Sequence, residues 1–408
     1  MIKVNKPKIR FNEFENTWIK SKLGELYEVY SGNTPSRSDS RNYQNGEIPW
    51  IKTTDLNNSI IYANEEKISV YGATKLKVLP EKSVLIAMYG GFNQIGRTGL
   101  LAYPATINQA LAALMPVNEI NPNFLLNFLN FKKESWRNVA ASSRKDPNIT
   151  KNDVEKLIIS FPSLDEQSAI GSIFRTLDDL IANYKDNLAN YQSLKVTMLS
   201  KMFPKAGQTV PEIRLDGFKG EWEKGTIGEF GSFYYGKSAP KWSVTDGATT
   251  PCVRYGELYT KFSTKIDKIY SYTSIPKENL KLSSGNEVLV PRVGENPLDF
   301  ANCSWLSLKG VAIGEMISVY NTPNNPLFIA YYFNAKMKKE FAKRVEGGSV
   351  ANLYYTYLEN ISISVPSIPE QQAIGAYFSN FDNIINSHQE KISQLETLKK
   401  KLLQDMFI

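Results

Sequence analysis

Cysteine and histidine are almost missing from this chain of 408 residues. The two cysteines, Cys252 and Cys303, exclude a disulfide framework and a four-cysteine zinc site. A single histidine, His388, leaves a His-dependent triad or a multi-histidine metal site without its ligands. No apolar run approaches the ~18 residues a membrane span needs. The opening Met1-Ile2-Lys3-Val4-Asn5-Lys6 has no apolar core for a signal peptide, so the expected location is cytoplasmic. Also absent are G-x-G-x-x-G after a strand, H-E-x-x-H, G-x-S-x-G and C-x-x-C, and the expectation is a protein without catalytic chemistry of its own. Nor is one sign of charge in large excess: Lys+Arg exceed Asp+Glu by 48 − 41 = 7, compatible with a polyanionic partner but no proof of one. With 22% charged and 42% hydrophobic residues the chain is globular, and its length suits two or three domains at roughly 150 residues each.

What the chain does have is a duplication. Pro7-Lys8-Ile9-Arg10-Phe11 … Trp18 … Leu23-Gly24-Glu25 … Tyr30-Ser31-Gly32 returns as Pro211-Glu212-Ile213-Arg214-Leu215 … Trp222 … Ile227-Gly228-Glu229 … Tyr234-Tyr235-Gly236, at an offset of 211 − 7 = 204. Pro162-Ser163-Leu164-Asp165-Glu166-Gln167 returns as Pro366-Ser367-Ile368-Pro369-Glu370-Gln371 at the same offset. So do Asn121-Pro122 as Asn325-Pro326, and Met202-Phe203 as Met406-Phe407. The chain is two units of 204 residues. The stretches 36–110 and 240–315 share little beyond a slipped pair, Pro49-Trp50-Ile51-Lys52 … Asp55-Leu56 against Pro251-Cys252-Val253-Arg254 … Glu257-Leu258, at offset 202. One frame therefore carries two different inserts.

Each unit ends in a long helix. Ser163 and Ser367 stand three residues before Glu166 and Glu370, the spacing of a reciprocal capping box. Leu177, Ile181, Tyr184, Leu188, Tyr191, Met198 and Met202 follow on alternating steps of four and three, with Lys195 interrupting. The second copy gives Phe381, Ile385, His388, Ile392, Leu395, Leu402 and Met406, so each helix carries a coiled-coil seam, and His388 reads as a packed seam residue. Only Pro204 to Val210 separate the first helix from the second globular segment, which feeds directly into the second helix. Parallel helices would hold those two ends about 55 Å apart at 1.5 Å per residue. A domain with a radius of gyration of about 15 Å bridges that poorly. Antiparallel helices, with one globular domain at each end of a rod and a pseudo-two-fold axis across it, are the expectation. The globular segments mix short strand-like runs such as 83–88 and 287–290 with helices near 122–137 and 326–344, giving mixed α/β domains whose strand order stays open. The expected division is 1–160, 161–204, 205–364 and 365–408, globular and helical in alternation.

Gly231-Ser232-Phe233-Tyr234-Tyr235-Gly236-Lys237-Ser238 fits the phosphate-loop string G-x-x-x-x-G-K-[ST]. Three aromatics crowd it and Ala239-Pro240 follows at once, which favours a strand entering a turn over a nucleotide site. Asp178-Asp179 is a paired carboxylate whose counterpart is Asp382-Asn383, which favours an exposed or packing role. The inserts instead bring cationic, amide and aromatic side chains together in turn-rich stretches. In the first unit these are Arg37, Arg41, Lys52, Tyr89, Asn93, Gln94, Arg97, Arg144 and Lys145. In the second they are Lys237, Lys241, Arg254, Arg292, Asn296 and Arg344. Arg and Lys reach phosphate or guanine O6/N7, and Asn and Gln pair with adenine, so these are the candidate DNA-binding residues.

These residues resemble the specificity (S, HsdS) subunit of type I restriction–modification systems. The resemblance spans the chain and rests on the P-S-x-x-E-Q-x-A-I-G block opening each long helix, the W … L/I-G-E … G block opening each domain, and Ser31-Gly32-Asn33-Thr34-Pro35 … Ile48-Pro49-Trp50-Ile51. Lys237-Ser238-Ala239-Pro240 departs from the usual pattern in the second unit. The resemblance implies two target-recognition domains that read a bipartite DNA sequence. It also implies two modification subunits that methylate adenine with S-adenosylmethionine, and restriction subunits driven by ATP and Mg. This chain itself would bind none of these cofactors. Two rivals stay open from the residues alone: a coiled-coil adaptor whose end domains bind protein, and a phosphate-loop enzyme using 231–238.

Overall fold

The computed structural model describes residues 6–140, 147–237 and 239–408. It separates into two compact units: Met1–Asp186 together with Glu390–Ile408, and Asn187–Gln389. Each unit therefore takes one globular part and portions of both long helices, Leu164–Lys201 and Ile368–Met406. Among the described residues no helix is long and apolar enough to cross a membrane.

The first unit is built on a five-stranded sheet in the order Val29–Ser31, Leu111–Leu114, Val84–Ala87, Thr98–Leu101, Ser59–Ile61. The last pair is parallel and the others antiparallel. Val84–Ala87 is apolar throughout because both its faces are covered. Val84 and Ile86 join the core under the helix Pro122–Phe131, and Leu85 and Ala87 join a second core with Ile51, Leu79 and Ile107. A three-stranded sheet, Lys67–Ile68, Ile48–Ile51 and Thr106–Ile107, packs there, and Ile19–Lys22 pairs with Ile158–Phe161.

The second unit repeats this order strand for strand: Ser232–Tyr235, Ile317–Asn321, Glu287–Pro291, Ser304–Leu306, Lys265–Ile266. Its smaller sheets are Ser271–Thr273, Thr250–Val253, Ala312–Ile313, and Glu223–Thr226 with Ser362–Val365. It also has a three-stranded sheet, Val293–Gly294, Ala351–Asn352 and Glu346–Gly347. The inserts that share so little sequence thus share one sheet, because burial on both faces asks only for apolar, β-tolerant residues. The slipped register is real: Ile48–Ile51 and Thr250–Val253, 202 residues apart, occupy the same place.

The Asn-Pro repeat is an N-cap. The Asn121 side chain accepts from the backbone N–H of Asn123 at 2.9 Å, and that of Asn325 from Phe328 at 2.9 Å, each with proline in the first turn. The capping-box reading of Glu166 and Glu370 is corrected. Glu166 is buried, and its two carboxylate oxygens accept from Nε and Nη2 of Arg10, both at 2.7 Å. Glu370 holds Arg214 in the same way at 2.8 and 2.7 Å. A carboxylate committed to a bidentate guanidinium is taken out of the capping position, and each pair ties the opening block of a unit to its helix start.

All fourteen seam residues are buried or half-buried. Within the first unit Lys185 meets Glu396 at 2.7 Å and Asp178 meets Lys399; within the second Tyr191 lies 5.3 Å from His388 and Lys195 meets Asp382. In both units the partner number falls as the number rises, so the helix segments pair antiparallel. Lys195 interrupts the apolar pattern because its ammonium goes to Asp382. Asp178, likewise, is one half of a cross-helix ion pair. Two buried aromatics stand outside the seam. Phe407 sits 5.3 Å from Phe124 and 5.9 Å from Phe174 in the first unit, and Phe203 sits 5.6 Å from Phe328 and 5.8 Å from Phe378 in the second. The repeated Met-Phe pair was their signal.

Within the phosphate-loop string Ser232–Tyr235 is a sheet strand, and among the described residues a short 3-10 turn, Lys241–Ser243, stands where a phosphate loop needs a long helix. Its glycine is packing: a Cβ on Gly236 would stand 2.1 Å from Gly314 O, just as one on Gly32 would stand 2.1 Å from Ile107 O.

Candidate nucleic-acid interface

In the first unit the strand Ile48–Ile51 ends at Lys52, whose backbone N–H donates to Asp55 Oδ2 at 2.7 Å and starts a 3-10 turn. The Lys52 ammonium then reaches Glu66 Oε2 at 2.7 Å, and Arg37 Nη2 reaches Glu66 Oε1 at 2.5 Å. Arg37 also lies over the Tyr43 ring, 4.2 Å from its centroid, and 5.3 Å from that of Trp50. Burial works to raise the Glu66 carboxyl, but the bonds from Lys52 and Arg37 prevail and hold it below its ordinary value. With 58% of its side chain exposed, Arg37 presents a guanidinium fixed in plane, the geometry that grips phosphate or a guanine edge. Arg41 is held by Asp39 at 2.7 and 2.9 Å and lies 4.8 Å from the Tyr71 ring.

Tyr89, Asn93, Gln94 and Arg97 form the turn between strands Val84–Ala87 and Thr98–Leu101. Positive φ values at Gly90 (114°), Gly91 (72°) and Gly96 (72°) shape it. Tyr89 and Asn93 are exposed, as is the neighbouring Phe92, and Arg97 Nε donates to Asn93 O at 3.1 Å. The amide oxygen of Gln94 is buried and has no hydrogen-bond partner among the described residues. Arg144 and Lys145 lie outside the described residues.

In the second unit Arg254 stands where Lys52 does, its backbone N–H donating to Glu257 Oε2 at 3.0 Å. Across the sheet, the position taken by Glu66 in the first unit is Ser271, whose hydroxyl donates to Glu257 at 2.6 Å. Arg254 therefore lacks the counter-charge that Lys52 has there. With Lys241, Tyr255 and Glu315 it lines an open cavity of 390 Å³. Next to Lys241, Trp242 is 74% exposed, an aromatic the sequence reading passed over. Arg292 lies 4.3 Å from the Tyr235 ring and 5.4 Å from that of Tyr354, and its Nε is buried without a partner among the described residues. Lys237 is exposed.

Two candidates stand elsewhere. Asn296 caps the 3-10 helix Pro297–Ala301, accepting from Leu298 N–H at 3.2 Å. Arg344 is bonded to Glu340 at 2.8 Å and lines an 800 Å³ cavity in the frame with Lys205, Lys224 and Lys336. The structure thus brings together Arg37 with Lys52, and Lys241 with Arg254. The residue that organises the first pair, Glu66, had no sequence signal, since it reaches Lys52 only through strand register. Among the described residues no group of three or more His, Cys, Asp or Glu side chains is arranged to hold a metal ion.

The comparisons agree with this doubled architecture. The family described as type I restriction modification DNA specificity domain matches residues 15–190 and again 219–397. The MjaIX type I restriction enzyme specificity subunit of Methanocaldococcus jannaschii is 23% identical over 411 residues, covering 95% of this chain and 91% of that one. The EcoR124I/EcoR124II specificity subunit of Escherichia coli is 26% identical over 188 residues, 44% of this chain and 45% of that one. The crystal structure of a type I restriction–modification S subunit from M. genitalium shares the fold with a TM-score of 0.65 at 16% identity, covering 99% of both chains. A structure described as the basis of complex assembly and conformational transition of the type I R-M system gives a TM-score of 0.55 at 17% identity, covering 96% of this chain and 97% of that one. The chain belongs to the type I restriction modification DNA specificity family, which it matches twice.

Proposed function

We propose that this chain is the non-catalytic, DNA-reading specificity subunit of a type I restriction–modification assembly, and that it reads an asymmetric bipartite target with one half-site per unit. The observation that carries this reading is the pair of equivalent positions Lys52 and Arg254. One sheet, repeated, ends at the same point in a cation, but the first is fixed on Glu66 with Arg37 while the second opens beside Lys241 and Tyr255. Like scaffolds with unlike cationic and aromatic surfaces suit unlike half-sites.

The seam from Leu177 to Met202 is about 38 Å long at 1.5 Å per residue. Half-sites one DNA turn apart are separated by about 34–36 Å. A gap of about five to eight unread base pairs follows from that repeat. Two modification subunits would methylate adenine with S-adenosylmethionine, and restriction subunits would use ATP and Mg, all in the cytoplasm. This chain supplies the address.

Exchange of residues 36–110 for those of a relative is the test. Mapping methylated adenines in cells that express the exchanged system should show one half-site changed and the other intact. Both half-sites changing, or neither, would refute the assignment. The adaptor reading predicts instead no sequence-selective retention of DNA and no steep fall of binding with salt.

A further inference from the structure

Asp178 and Asp382 are equivalent carboxylates with unlike surroundings. In the second unit the Asp382 carboxylate accepts the Tyr331 hydroxyl at 2.5 Å and pairs with the Lys195 ammonium, which lies 5.6 Å from the Tyr331 ring centroid. Tyr331 is buried, its ring 5.4 Å from Phe378. In the first unit Asp178 pairs with Lys399 in the same manner, yet residue 331 − 204 = 127 is asparagine. Asn127 turns its amide N–H onto Asn123 O, at 2.8 Å in its own helix, and its Oδ1 is buried with no partner among the described residues. Beside it is a cavity of 180 Å³ lined by Ile60, Tyr62, Leu126, Asn127, Arg175 and Asp178, among others.

We infer that this cavity is a socket for a phenol: an aromatic ring between Ile60 and Leu126 whose hydroxyl donates to Asp178 as Tyr331 donates to Asp382. A cavity of about 150 Å³ holds a benzene ring, so the size fits. Acceptor capacity is present, because a carboxylate offers about four lone-pair sites and Lys399 bonds only one Asp178 oxygen, while Asn127 Oδ1 is idle. An anion would face Asp178 and Asp179, and a metal cation would face Arg175. A neutral ring with one donor meets neither charge conflict. Burial holds the Asp178 carboxyl above its ordinary value despite Lys399, consistent with a carboxylate short of donors.

Calorimetric titration of the full chain with p-cresol tests this. The expected result is saturable binding of one equivalent and, at ten times the dissociation constant, a Tm higher by ~3–6 °C. Asn127→Tyr fills the socket from within and should abolish binding. Tyr331→Asn opens the matching socket in the second unit and should raise the stoichiometry to two. No saturable heat with the wild-type chain, unchanged binding in Asn127→Tyr, or a soaked crystal with p-cresol elsewhere would each overturn the inference. N-acetyl-tyrosinamide separates the sources: if it binds as p-cresol does, a tyrosine side chain of another polypeptide fits, and if only p-cresol binds, the ligand is a free phenol.

Discussion

Arg10 grips Glu166 through both carboxylate oxygens at 2.7 Å, and 204 residues later Arg214 grips Glu370 in the same manner. Glu166 is 1% exposed, so its charge has no solvent to fall back on. Removing one partner of a buried pair costs about 3–5 kcal/mol, whereas replacing both by apolar residues is often close to neutral. Arg10→Ala should therefore lower the urea midpoint sharply, and Arg10→Met with Glu166→Met should restore most of it. A double variant as unstable as the single one would show that the pair stabilises on its own account.

Phe407 and Phe203 make a matched pair of packing predictions. Each ring is buried among four aromatic neighbours of its unit. Truncating such a side chain to alanine costs about 3–5 kcal/mol. Phe407→Ala should destabilise the first unit and Phe203→Ala the second. Hydrogen exchange resolved by segment should place each loss in the unit named.

Glu66 restrains two cations, and its removal should be felt at the DNA. Glu66→Gln is expected to tighten non-specific DNA binding at low salt by on the order of fivefold, through release of Arg37 and Lys52. The same change should blunt sequence discrimination, since Arg37 loses its fixed plane. Filter binding to cognate and random duplexes checks both, and weaker binding to random duplexes would contradict the restraint.

The pH dependence follows from the same carboxylate. Its folded value lies below the ordinary 4.5, so the unfolded chain takes up protons first as pH falls. The stability that Glu66 contributes is present above the unfolded value and is lost as pH drops through the folded one. The difference in Tm between wild type and Glu66→Gln should be full at neutral pH and shrink in the acid range. A difference that grows on acidification would reverse the sign argued here.

Removing one heptad from each long helix shortens the pair by about 10 Å, or about three base pairs. The unread gap in the methylated target should contract accordingly, with the half-sites themselves unchanged. An unaltered gap would end the idea that the helices set the spacing.

The frame was readable before any coordinates. The 204-residue repeat with its Asn-Pro and Met-Phe pairs, the seam and its antiparallel sense all follow from spacing and short connections, which are local along the chain. The slipped Lys52/Arg254 register was visible as two short matching strings. Strand order was not, because short strands buried on both faces carry little beyond apolar residues. Nor was the role of Glu166, which spacing assigned to a cap and Arg10 claimed.

Sequence alone thus determined the doubling, the helices and the residue types at the candidate DNA surface, since periodicity and punctuation act within a few residues. Tertiary structure decided which cations are restrained and which are not. Glu66 and Ser271 take equivalent places beside Lys52 and Arg254 only once separate strands settle into register, and Asn127 and Asp178 line one cavity only where two helices and a strand meet. Charge compensation and volume are properties of neighbours in space, and the chain order does not record them.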